Sequence, residues 1–293
     1  MKDLITIFTP TYNRAKTLNA CYNSLKSQSS KEFVWQIVDD GSTDNTESLV
    51  KTFISEKEID IIYIRKENGG KASAINLSLE KCNTELWMCL DSDDLLTKNA
   101  ISKIINCYSS IKNNKKVCGI FALRSTPDEK PMQKKYIPKE IKYTTQNQVR
   151  YKFKIPPEYV HVYKTEIIKK YKYPKIQGEN YFPLSYVFDQ IDKEYTYLVS
   201  QEALMICEYR EDGMTRNKRN IIKKNPIGYM IYKRQAIDLA PDLISKVKAC
   251  ITYNTACILS NEKEIIKKSP QKFLTAVCYP FGVFDYLLRY KKL

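Results

Sequence analysis

The sequence FVWQIVDDGSTD, residues 33–44, joins a short apolar run to a polar turn that carries carboxylates and a glycine. Three further apolar runs followed by polar residues occupy 4–8, 61–65 and 86–90, with amphipathic segments between them. Short apolar runs that alternate with helical patterns are typical of parallel strands connected by crossover helices. The first part of the chain therefore predicts an α/β fold.

Later segments extend this pattern and then change it. Further strands are predicted at 118–123, 160–163, 195–199 and 204–209, with a helix around 184–191, and these would complete a mixed sheet flanked by helices. The segment 125–157 is rich in Lys, Pro, Gln and Thr and is predicted to be a loop or mobile flap. Helices separated by prolines follow residue 217. We therefore expect a catalytic domain over 1–216 and a helical C-terminal extension over 217–293.

Charge and composition narrow the class of protein. The 293 residues include 48 Lys and Arg against 33 Asp and Glu, a net charge of +15, so an anionic partner or surface is expected. The hydrophobic fraction of 43% excludes general disorder. Nine cysteines, an odd number without a C-x-x-C pair, are predicted to be reduced core residues.

Hydropathy gives an expectation about location. The first apolar run, 4–8, is too short for the hydrophobic region of a signal peptide. The longest weakly charged stretch, 273–288, falls short of the roughly 20 apolar residues that a membrane-spanning helix needs. We expect a cytoplasmic protein.

Polar residues follow each of the four early strands. They read TPTYNR at 9–14, DDGS at 39–42, ENGGK at 67–71 and DSDD at 91–94. In an open α/β sheet, ligands bind beyond the carboxyl ends of the strands. The four segments together therefore predict a ligand site at that edge of the sheet.

The DSDD segment places three carboxylates within four residues, and these repel one another unless a cation or solvent compensates. Oxygen ligands of this kind suit Mg²⁺ or Mn²⁺. The structural alternative is a cap for a helix that begins near Thr97.

The DDGS and NGGK segments also allow two interpretations. Each could be a simple turn, because glycine and Asx residues supply the backbone conformations that turns require. Alternatively, a carboxylate after the second strand could accept a hydrogen bond from a ribose or base, and NGGK could accommodate an anionic group at a helix N-terminus. The chain lacks the G-x-G-x-x-G and G-x-x-x-x-G-K-[ST] patterns, which disfavours the dehydrogenase and P-loop classes.

The order and spacing of the segments at 9–14, 40–44, 68–72 and 90–94 resemble the motifs of family 2 glycosyltransferases. The resemblance covers about the first 125 residues strongly and continues more weakly to about residue 215. It implies a GT-A fold, an inverting reaction and a nucleotide diphosphate-sugar donor that is held through a metal. It also implies that donor binding occupies 1–125 and that 126–216 form the acceptor side.

Residues of the donor site follow from the same resemblance. It implies a nucleotide site formed by Pro10, Tyr12, Arg14, Asp40, Lys71 and Asp91. Within this set, Asp40 would contact the base and Asp91 would approach the ribose. Asp93 would ligate the Mn²⁺ or Mg²⁺ ion that bridges the diphosphate.

An inverting transfer needs a general base that deprotonates the acceptor hydroxyl. Members of the family supply this carboxylate downstream, often within a Glu-Asp pair. This chain departs from the pair and reads GENYFP at 178–183, so Glu179 is the predicted base. Asp189 is the alternative, although its position in a helix also suits an ordinary exposed carboxylate.

Two other segments have a structural and a functional interpretation. The single histidine, His161, lies on a predicted strand and is interpreted as a structural residue rather than a metal or phosphate contact. The segment 209–215, YREDGMT, resembles the family's late loop, which closes over donor and acceptor; the alternative is a surface turn. The chain has no Q-x-x-R-W element, which disfavours a processive polysaccharide synthase.

Aromatic and basic residues coincide in the C-terminal segment 273–292. This combination favours contact with an anionic membrane surface, where a lipid-linked acceptor would lie. A helix packed on the catalytic domain is the alternative.

The combined prediction is a metal-dependent glycosyltransferase that uses a UDP-sugar and a glycan or lipid-linked acceptor. We expect it in bacterial surface polysaccharide or glycoconjugate synthesis, peripheral at the inner face of the cell membrane. A nucleotidyltransferase is an alternative, but it should carry a glycine-rich basic loop after the first strand, and 9–14 has no glycine. A nucleic-acid-binding protein would explain the charge and the 22 tyrosines, but clustered carboxylates repel phosphates, so no nucleic-acid partner is expected.

Overall fold

The structure is a computed structural model. It describes residues 3–128, 130, 132, 135–156, 159–207 and 217–291. The chain forms two compact units, of which the first contains 1–172 and 187–209 and the second contains 173–186 and 210–293. The predicted segment 209–215, interpreted as a closing loop, lies outside the described residues.

A single sheet organises the first unit. Its strands, among the described residues, are β1 Ile5–Thr11, β2 Phe33–Asp39, β3 Asp60–Arg65, β4 Leu86–Cys89, β5 Leu95–Leu96, β6 Val117–Ser125, β7 Tyr143–Thr144, β8 Val160–Lys164 and β9 Thr196–Ile206. The spatial order is β3-β2-β1-β4-β8-β6-β9-β5, and β7 pairs with β9. The first four strands run parallel, whereas β8 is antiparallel to both β4 and β6. The mixed sheet that the sequence predicts is confirmed.

Helices connect the strands and form most of the second unit. They are α1 Ala15–Lys26, α2 Thr46–Glu56, α3 Gly70–Lys81, α4 Ala100–Ile111, α5 Thr165–Ile168, α6 Ser185–Ile191, α7 Lys218–Lys224, α8 Pro226–Asp238, α9 Leu243–Leu259, α10 Ile265–Lys268 and α11 Lys272–Arg289. A five-residue π-helical turn covers Gln148–Lys152. The helices predicted after residue 217 are therefore present.

The core of the first unit explains why these segments adopt their structures. Every residue of β2 is buried, which is expected of a parallel strand covered on both faces. In α1, Leu18, Cys21 and Leu25 are buried at the spacing of one helix face. Trp35 lies fully buried in β2 and donates a hydrogen bond to Thr9 Oγ1 at 2.9 Å. The sheet thereby fixes the strand ends that carry the polar segments.

Two predictions about the second half of the sheet were wrong in detail. The run at 195–199 and the start of the run at 204–209 lie on the one strand β9, Thr196–Ile206. Its pairing with β6 is interrupted after Val199 and resumes at Ala203, past the exposed residues Gln201 and Glu202. The segment 125–157 was predicted as a loop, yet it contains β7 and the π-helical turn. β7 forms because Tyr143 and Thr144 pair with β9, a nonlocal contact that local composition does not reveal.

The second unit combines two separate parts of the sequence. Asn225 Oδ1 accepts hydrogen bonds from the backbone N–H groups of Asn180 at 2.9 Å and Tyr181 at 3.1 Å. These contacts explain why 173–186 group with the C-terminal helices. The predicted division at residue 216 stays a prediction.

The helices α9 and α11 form the core of the second unit. Cys250 and Cys278 are buried there together with Tyr253. Gly282 of α11 packs directly against Asn254, so that a Cβ at this position would overlap the Asn254 side chain. Close approach of the two helices therefore depends on a glycine.

The cysteines agree with the prediction of a reduced protein. All nine are free, and seven of them are buried. In the part of the chain that the structure describes, no helix is long and apolar enough to span a membrane.

Gly119 offers a test of the sheet. A Cβ on this β6 residue would overlap the carbonyl oxygen of Val162 on β8. We expect Gly119→Ala to lower the free energy of unfolding by about 1–3 kcal/mol, because strands in a packed sheet separate only with strain. Denaturant unfolding followed by circular dichroism measures this difference.

Ser109→Ala, at an exposed position of α4, is the matched control and should change the free energy of unfolding by less than about 0.5 kcal/mol. Equal stabilities of the Gly119→Ala and Ser109→Ala variants would contradict the close approach of β6 and β8.

Candidate functional site

The carboxyl ends of the parallel strands meet at one edge of the sheet. The backbone N–H of Asp40, after β2, donates to the carbonyl of Thr11 at 2.8 Å. Leu90, after β4, donates in the same way to the carbonyl of Phe8 at 2.8 Å. The segments that follow β1, β2 and β4 are therefore held next to one another, as the sequence predicts.

Asn13 connects the segments that follow β1 and β2. Its side-chain Oδ1 accepts hydrogen bonds from the backbone N–H groups of Thr43 at 2.8 Å and Asp44 at 3.3 Å, and its own N–H donates to Ser42 Oγ at 2.9 Å. Its φ of 53° lies in the left-handed region, which asparagine tolerates better than most residues. Asn13 thus shapes the segment on which Tyr12 and Arg14 lie.

Asp44 secures the same junction from the other side. Burial raises the pKa of its carboxyl group, but hydrogen bonds from the Thr46 hydroxyl and from the backbone N–H groups of Ala15 and Thr46 outweigh burial. The net pKa is lowered, so the group is a carboxylate at neutral pH. Its role in the structure is to join the starts of α1 and α2.

The predicted nucleotide contacts of the first segment differ in exposure. Pro10 is the penultimate residue of β1, and Arg14 precedes α1 directly. The Tyr12 side chain between them is 49% exposed. An exposed aromatic ring at the carboxyl end of a central strand provides a flat apolar surface for a base.

Asp39 and Asp40 are adjacent but have different environments. Asp39 is fully buried and accepts hydrogen bonds from the Ser42 N–H at 2.8 Å and the Tyr63 hydroxyl at 2.6 Å. Both partners lie within the fold. Asp39 therefore stabilises the turn after β2, which is the structural interpretation of the DDGS segment.

Asp40 holds the loop that precedes α3. Its carboxylate accepts hydrogen bonds from the backbone N–H groups of Gly69 at 3.0 Å and Gly70 at 2.7 Å, and it pairs with Lys66 Nζ at 2.5 Å. The Asp40 side chain is only 8% exposed. Gly70 has a φ of +81°, a conformation that favours glycine. The negative charge of the Asp40 carboxylate interacts favourably with the dipole at the N-terminus of α3.

Lys71 and Asp91 form an ion pair across the site. Lys71 Nζ lies 2.5 Å from Asp91 Oδ1 and 2.7 Å from Oδ2. Burial raises the pKa of Asp91, but the positive charge of Lys71 and its hydrogen bonds outweigh this effect, with a further contribution from Arg124, and the net pKa is lowered. The pair fixes the first residue of the DSDD segment as an anion.

Asp94 shows the repulsion that the sequence predicts for clustered carboxylates. Burial raises its pKa, and the charges of Asp91 and Asp93 add to the increase, so that the pKa reaches about 6 despite the opposing charge of Arg124. Asp93 is partly exposed. This cluster therefore carries unfavourable negative charge that a cation would relieve.

The carboxylate oxygens of the DSDD segment suit a hard cation that is also bound by the phosphates of a substrate. Within the described ranges, no three His, Cys, Asp or Glu side chains are arranged to hold a metal ion by themselves. Mg²⁺ commonly binds through one or two carboxylates together with substrate phosphates. Asp93, beside the anionic Asp91, is suited to this shared mode of binding.

The predicted catalytic base belongs to the second unit. Each oxygen of the Glu179 carboxylate accepts one backbone N–H from the start of α8, with Ile227 at 2.7 Å and Gly228 at 2.7 Å. Each oxygen has a second lone pair, so a further hydrogen bond to a hydroxyl is compatible with this arrangement. Glu179 therefore caps α8, and its catalytic role stays a prediction.

The alternative base has a different environment from the one expected. Asp189 is 5% exposed in its side chain and lies 3.5 Å from Arg150 Nη1. The expectation of an ordinary exposed carboxylate was wrong, because α6 turns this residue toward the π-helical turn that carries Arg150. The hydrophobic neighbours in the sequence gave no indication of this partner.

His161 lies in an aromatic cluster of the first unit. Its ring stacks on Phe188 at 5.0 Å and contacts the edge of Phe121 at 4.7 Å between centroids. Burial and the charge of Arg124 lower its pKa to about 3, so the imidazole is neutral. The structure places it as a packed residue, in agreement with the structural interpretation.

Sequence reasoning missed three residues that shape the site. They are Asn13, Lys66 and Arg124. Lys66 could have been found from its position directly after β3 beside the ENGGK segment. Arg124, near the end of β6, had no local signal, because its neighbours Lys71, Asp91 and Asp94 are distant in the sequence.

Comparison with curated proteins finds partial relatives. The chain is 37% identical over 107 residues to a teichoic acid poly(glycerol phosphate) polymerase of Staphylococcus epidermidis, covering 36% of this chain and 15% of the relative. It is 30% identical over 104 residues to the glycosyltransferase GlyG of Streptococcus pneumoniae serotype 4, covering 36% of this chain and 35% of the relative. The chain thus spans well under half the length of these relatives.

Comparison with solved structures supports the fold along the whole chain. S. aureus TarS 1-349 in complex with UDP-GlcNAc matches with a TM-score of 0.59 at 15% identity, covering 100% of this chain and 91% of that chain. The mannosyltransferase PcManGT from Pyrobaculum calidifontis, in complex with GDP-Man and Mn²⁺, matches with a TM-score of 0.56 at 15% identity, covering 97% and 88%. The predicted GT-A fold is confirmed.

Family assignment rests on a family model that matches residues 6–172, more than half of the chain. The matched region contains all four polar segments at the strand ends and the residues that connect them. The model describes "Glycosyl transferase family 2". The chain belongs to this family.

Proposed function

We propose that the protein is an inverting glycosyltransferase that moves a sugar from a nucleotide diphosphate-sugar to a glycan or lipid-linked acceptor. The observation that carries this proposal is the meeting of TPTYNR, DDGS, NGGK and DSDD at one edge of the sheet. These segments supply an exposed ring, cations and carboxylates, which together complement a nucleotide diphosphate with its metal. The family match favours this activity over the nucleotidyltransferase and nucleic-acid-binding alternatives.

The donor nucleotide is proposed to bind after β1 and β2. Pro10, Tyr12 and Arg14 would line the nucleotide pocket, and the exposed Tyr12 ring supports a stacking contact with the base. Asp40 would contact the base while its hydrogen bonds to Gly69 and Gly70 keep it fixed. A carboxylate that does not need to reorganise loses little entropy when the nucleotide binds.

The diphosphate is proposed to bind next to the DSDD segment. Asp91, held anionic by Lys71, would approach the ribose. Asp93 would hold Mn²⁺ or Mg²⁺, and this ion, when bound, supplies charge stabilisation for the departing diphosphate. The mannosyltransferase PcManGT, solved in complex with GDP-Man and Mn²⁺, supports a divalent metal in this fold.

The donor is proposed to be a UDP-sugar. TarS was solved with UDP-GlcNAc and PcManGT with GDP-Man, which supports a nucleotide-sugar as the donor of this chain. The donor panel described below distinguishes uridine from guanosine donors. The relative named as a teichoic acid polymerase supports a place in bacterial surface polysaccharide or glycoconjugate synthesis. We propose that the enzyme works on the cytoplasmic side, peripheral at the inner face of the cell membrane.

Glu179 is proposed as the general base. Its carboxylate would accept the proton of the acceptor hydroxyl as the oxygen attacks the anomeric carbon. The two N–H groups of Ile227 and Gly228 would fix the orientation of this carboxylate. A fixed orientation favours proton transfer in a single geometry.

Asp93→Asn tests the donor site. We expect the variant to lose metal-dependent donor binding by at least about 100-fold, because the amide that replaces the carboxylate brings no negative charge to the ion. Calorimetry with Mn²⁺ and a panel of UDP-, GDP- and dTDP-sugars, together with nucleotide release, measures the loss and identifies the donor.

Glu80→Gln is the matched control, since this carboxylate is 65% exposed at the end of α3 and should bind the donor as the wild type does. Unchanged metal-dependent binding by Asp93→Asn would refute the assignment of Asp93. A wild-type protein that binds no donor would refute the proposed function.

Glu179→Gln separates catalysis from helix capping. We expect kcat for nucleotide release to fall by about 10²–10⁴-fold with the donor Kd unchanged, since the amide cannot take a proton. The glutamine oxygen still accepts one N–H of α8, so thermal unfolding should show a loss of only about 1 kcal/mol.

Asp189→Asn provides the comparison for the alternative base. A fall in kcat for this variant in a folded protein, with full activity retained by Glu179→Gln, would assign the base to Asp189. A loss of stability in Glu179→Gln without any change in kcat would mean that Glu179 only caps α8.

A further inference from the structure

The helix α11 has an unusual distribution of apolar residues. One face of the helix, exposed along its whole length, consists of Phe273, Ala276, Val277, Pro280, Phe281, Phe284, Leu287 and Leu288. We call this set the α11 apolar face. Its spacing of three and four residues forms one continuous stripe over about four turns. The Phe273, Phe281 and Phe284 side chains are 82%, 60% and 61% exposed.

The opposite face of α11 packs inside the second unit and is smaller and more polar. Thr275, Cys278 and Gly282 are buried there. Thr275 bonds with Ser269 at 2.6 Å, and the Gly282 carbonyl accepts a hydrogen bond from Thr255 at 3.1 Å. A surface helix usually buries its apolar stripe and exposes its polar residues. Here the unit's own packing leaves the apolar stripe outside.

Helix α9 also exposes apolar residues. It packs against the buried face of α11, where Thr275 contacts Cys250 and Asp285 contacts Thr255. At the start of α9, Leu243 is 70% exposed and the adjacent Ile244 is 69% exposed. Large exposed apolar surface of this kind marks an interaction site.

Positive charge accompanies the apolar surface. The second unit, 173–186 with 210–293, contains 18 Lys and Arg against 8 Asp and Glu, a net charge of +10 out of the +15 of the whole chain. Lys272 precedes the α11 apolar face, and Arg289 and Lys291 follow it. An anionic partner is therefore complementary to this unit.

Negative charge is almost absent from the same segment. Between 271 and 291, the sequence contains one acidic residue, Asp285. Its carboxylate faces inward, where it accepts a hydrogen bond from Thr255 at 2.9 Å and pairs with Arg289 at 2.6 Å. No carboxylate of this segment therefore lies on the α11 apolar face, where it would repel lipid phosphates.

We propose that the α11 apolar face lies on an anionic lipid bilayer, with its aromatic and aliphatic side chains at the level of the acyl chains and the flanking cations at the headgroups. An interfacial helix binds through buried apolar area together with attraction to anionic lipids. A second copy of the chain would bring two units of +10 together, whereas an anionic surface neutralises them. The inference deepens the proposed function, since it brings the enzyme to a lipid-linked acceptor.

The test uses the full chain and vesicles of phosphatidylglycerol and phosphatidylcholine in a sedimentation assay. Wild-type protein should bind vesicles with 40% phosphatidylglycerol at least about 10-fold more strongly than vesicles of phosphatidylcholine alone, and about 0.5 M salt should weaken this binding. The double variant Phe281→Gln, Phe284→Gln should bind the anionic vesicles at least about 10-fold more weakly than wild type. Circular dichroism checks that the variant is folded.

Ile54→Gln is the matched control, because Ile54 is 42% exposed on α2 of the first unit, and this variant should bind vesicles as the wild type does. Equal vesicle binding by the double variant, or no preference for anionic lipid by the wild type, would overturn the proposal. A dimer in sedimentation equilibrium that the double variant abolishes, without vesicle binding, would assign the face to a second copy instead. Binding without donor or acceptor keeps this test separate from failure of the proposed activity.

Discussion

The arrangement of the site depends on the hydrogen bonds and the ion pair that the Asp40 carboxylate forms with the loop before α3. This carboxylate lies at the end of β2, and its bonds to Gly69, Gly70 and Lys66 fix the start of α3 against that strand. Lys71, the next residue of α3, is thereby directed to Asp91 at the end of β4. One buried anion therefore sets the geometry between two strands that are not neighbours in the sheet order β2-β1-β4.

Carboxylates at the edge of the sheet are paired with lysines of the following segments. Lys66 compensates Asp40, and Lys71 compensates Asp91. Arg124 opposes the remaining negative charge, but the pKa of Asp94 still rises to about 6. Lys66, Lys71 and Arg124 thus already face carboxylates of the site before any diphosphate binds.

The fold was more predictable than the connections within the site. The parallel strands could be predicted because runs such as 33–38 are continuously apolar and end at polar turns, which is a local property. The position of Arg124 could not be predicted, since only the order β4-β8-β6 brings β6 close to the DSDD segment. The cap that Glu179 forms on α8 joins residues 48 positions apart, so local sequence patterns could not predict it either.

A nucleotide-sugar diphosphate would add negative charge to an edge that already contains Asp91, Asp93 and Asp94. Lys71 can approach the diphosphate only by weakening its bond to Asp91, and the loss of this partner would raise the pKa of that carboxyl group. A divalent cation held by Asp93, as proposed, would avoid this conflict, because its charge would offset that of the diphosphate and the carboxylates while Lys71 stays paired with Asp91. The charge balance of the site therefore agrees with the proposed binding of a divalent cation at Asp93.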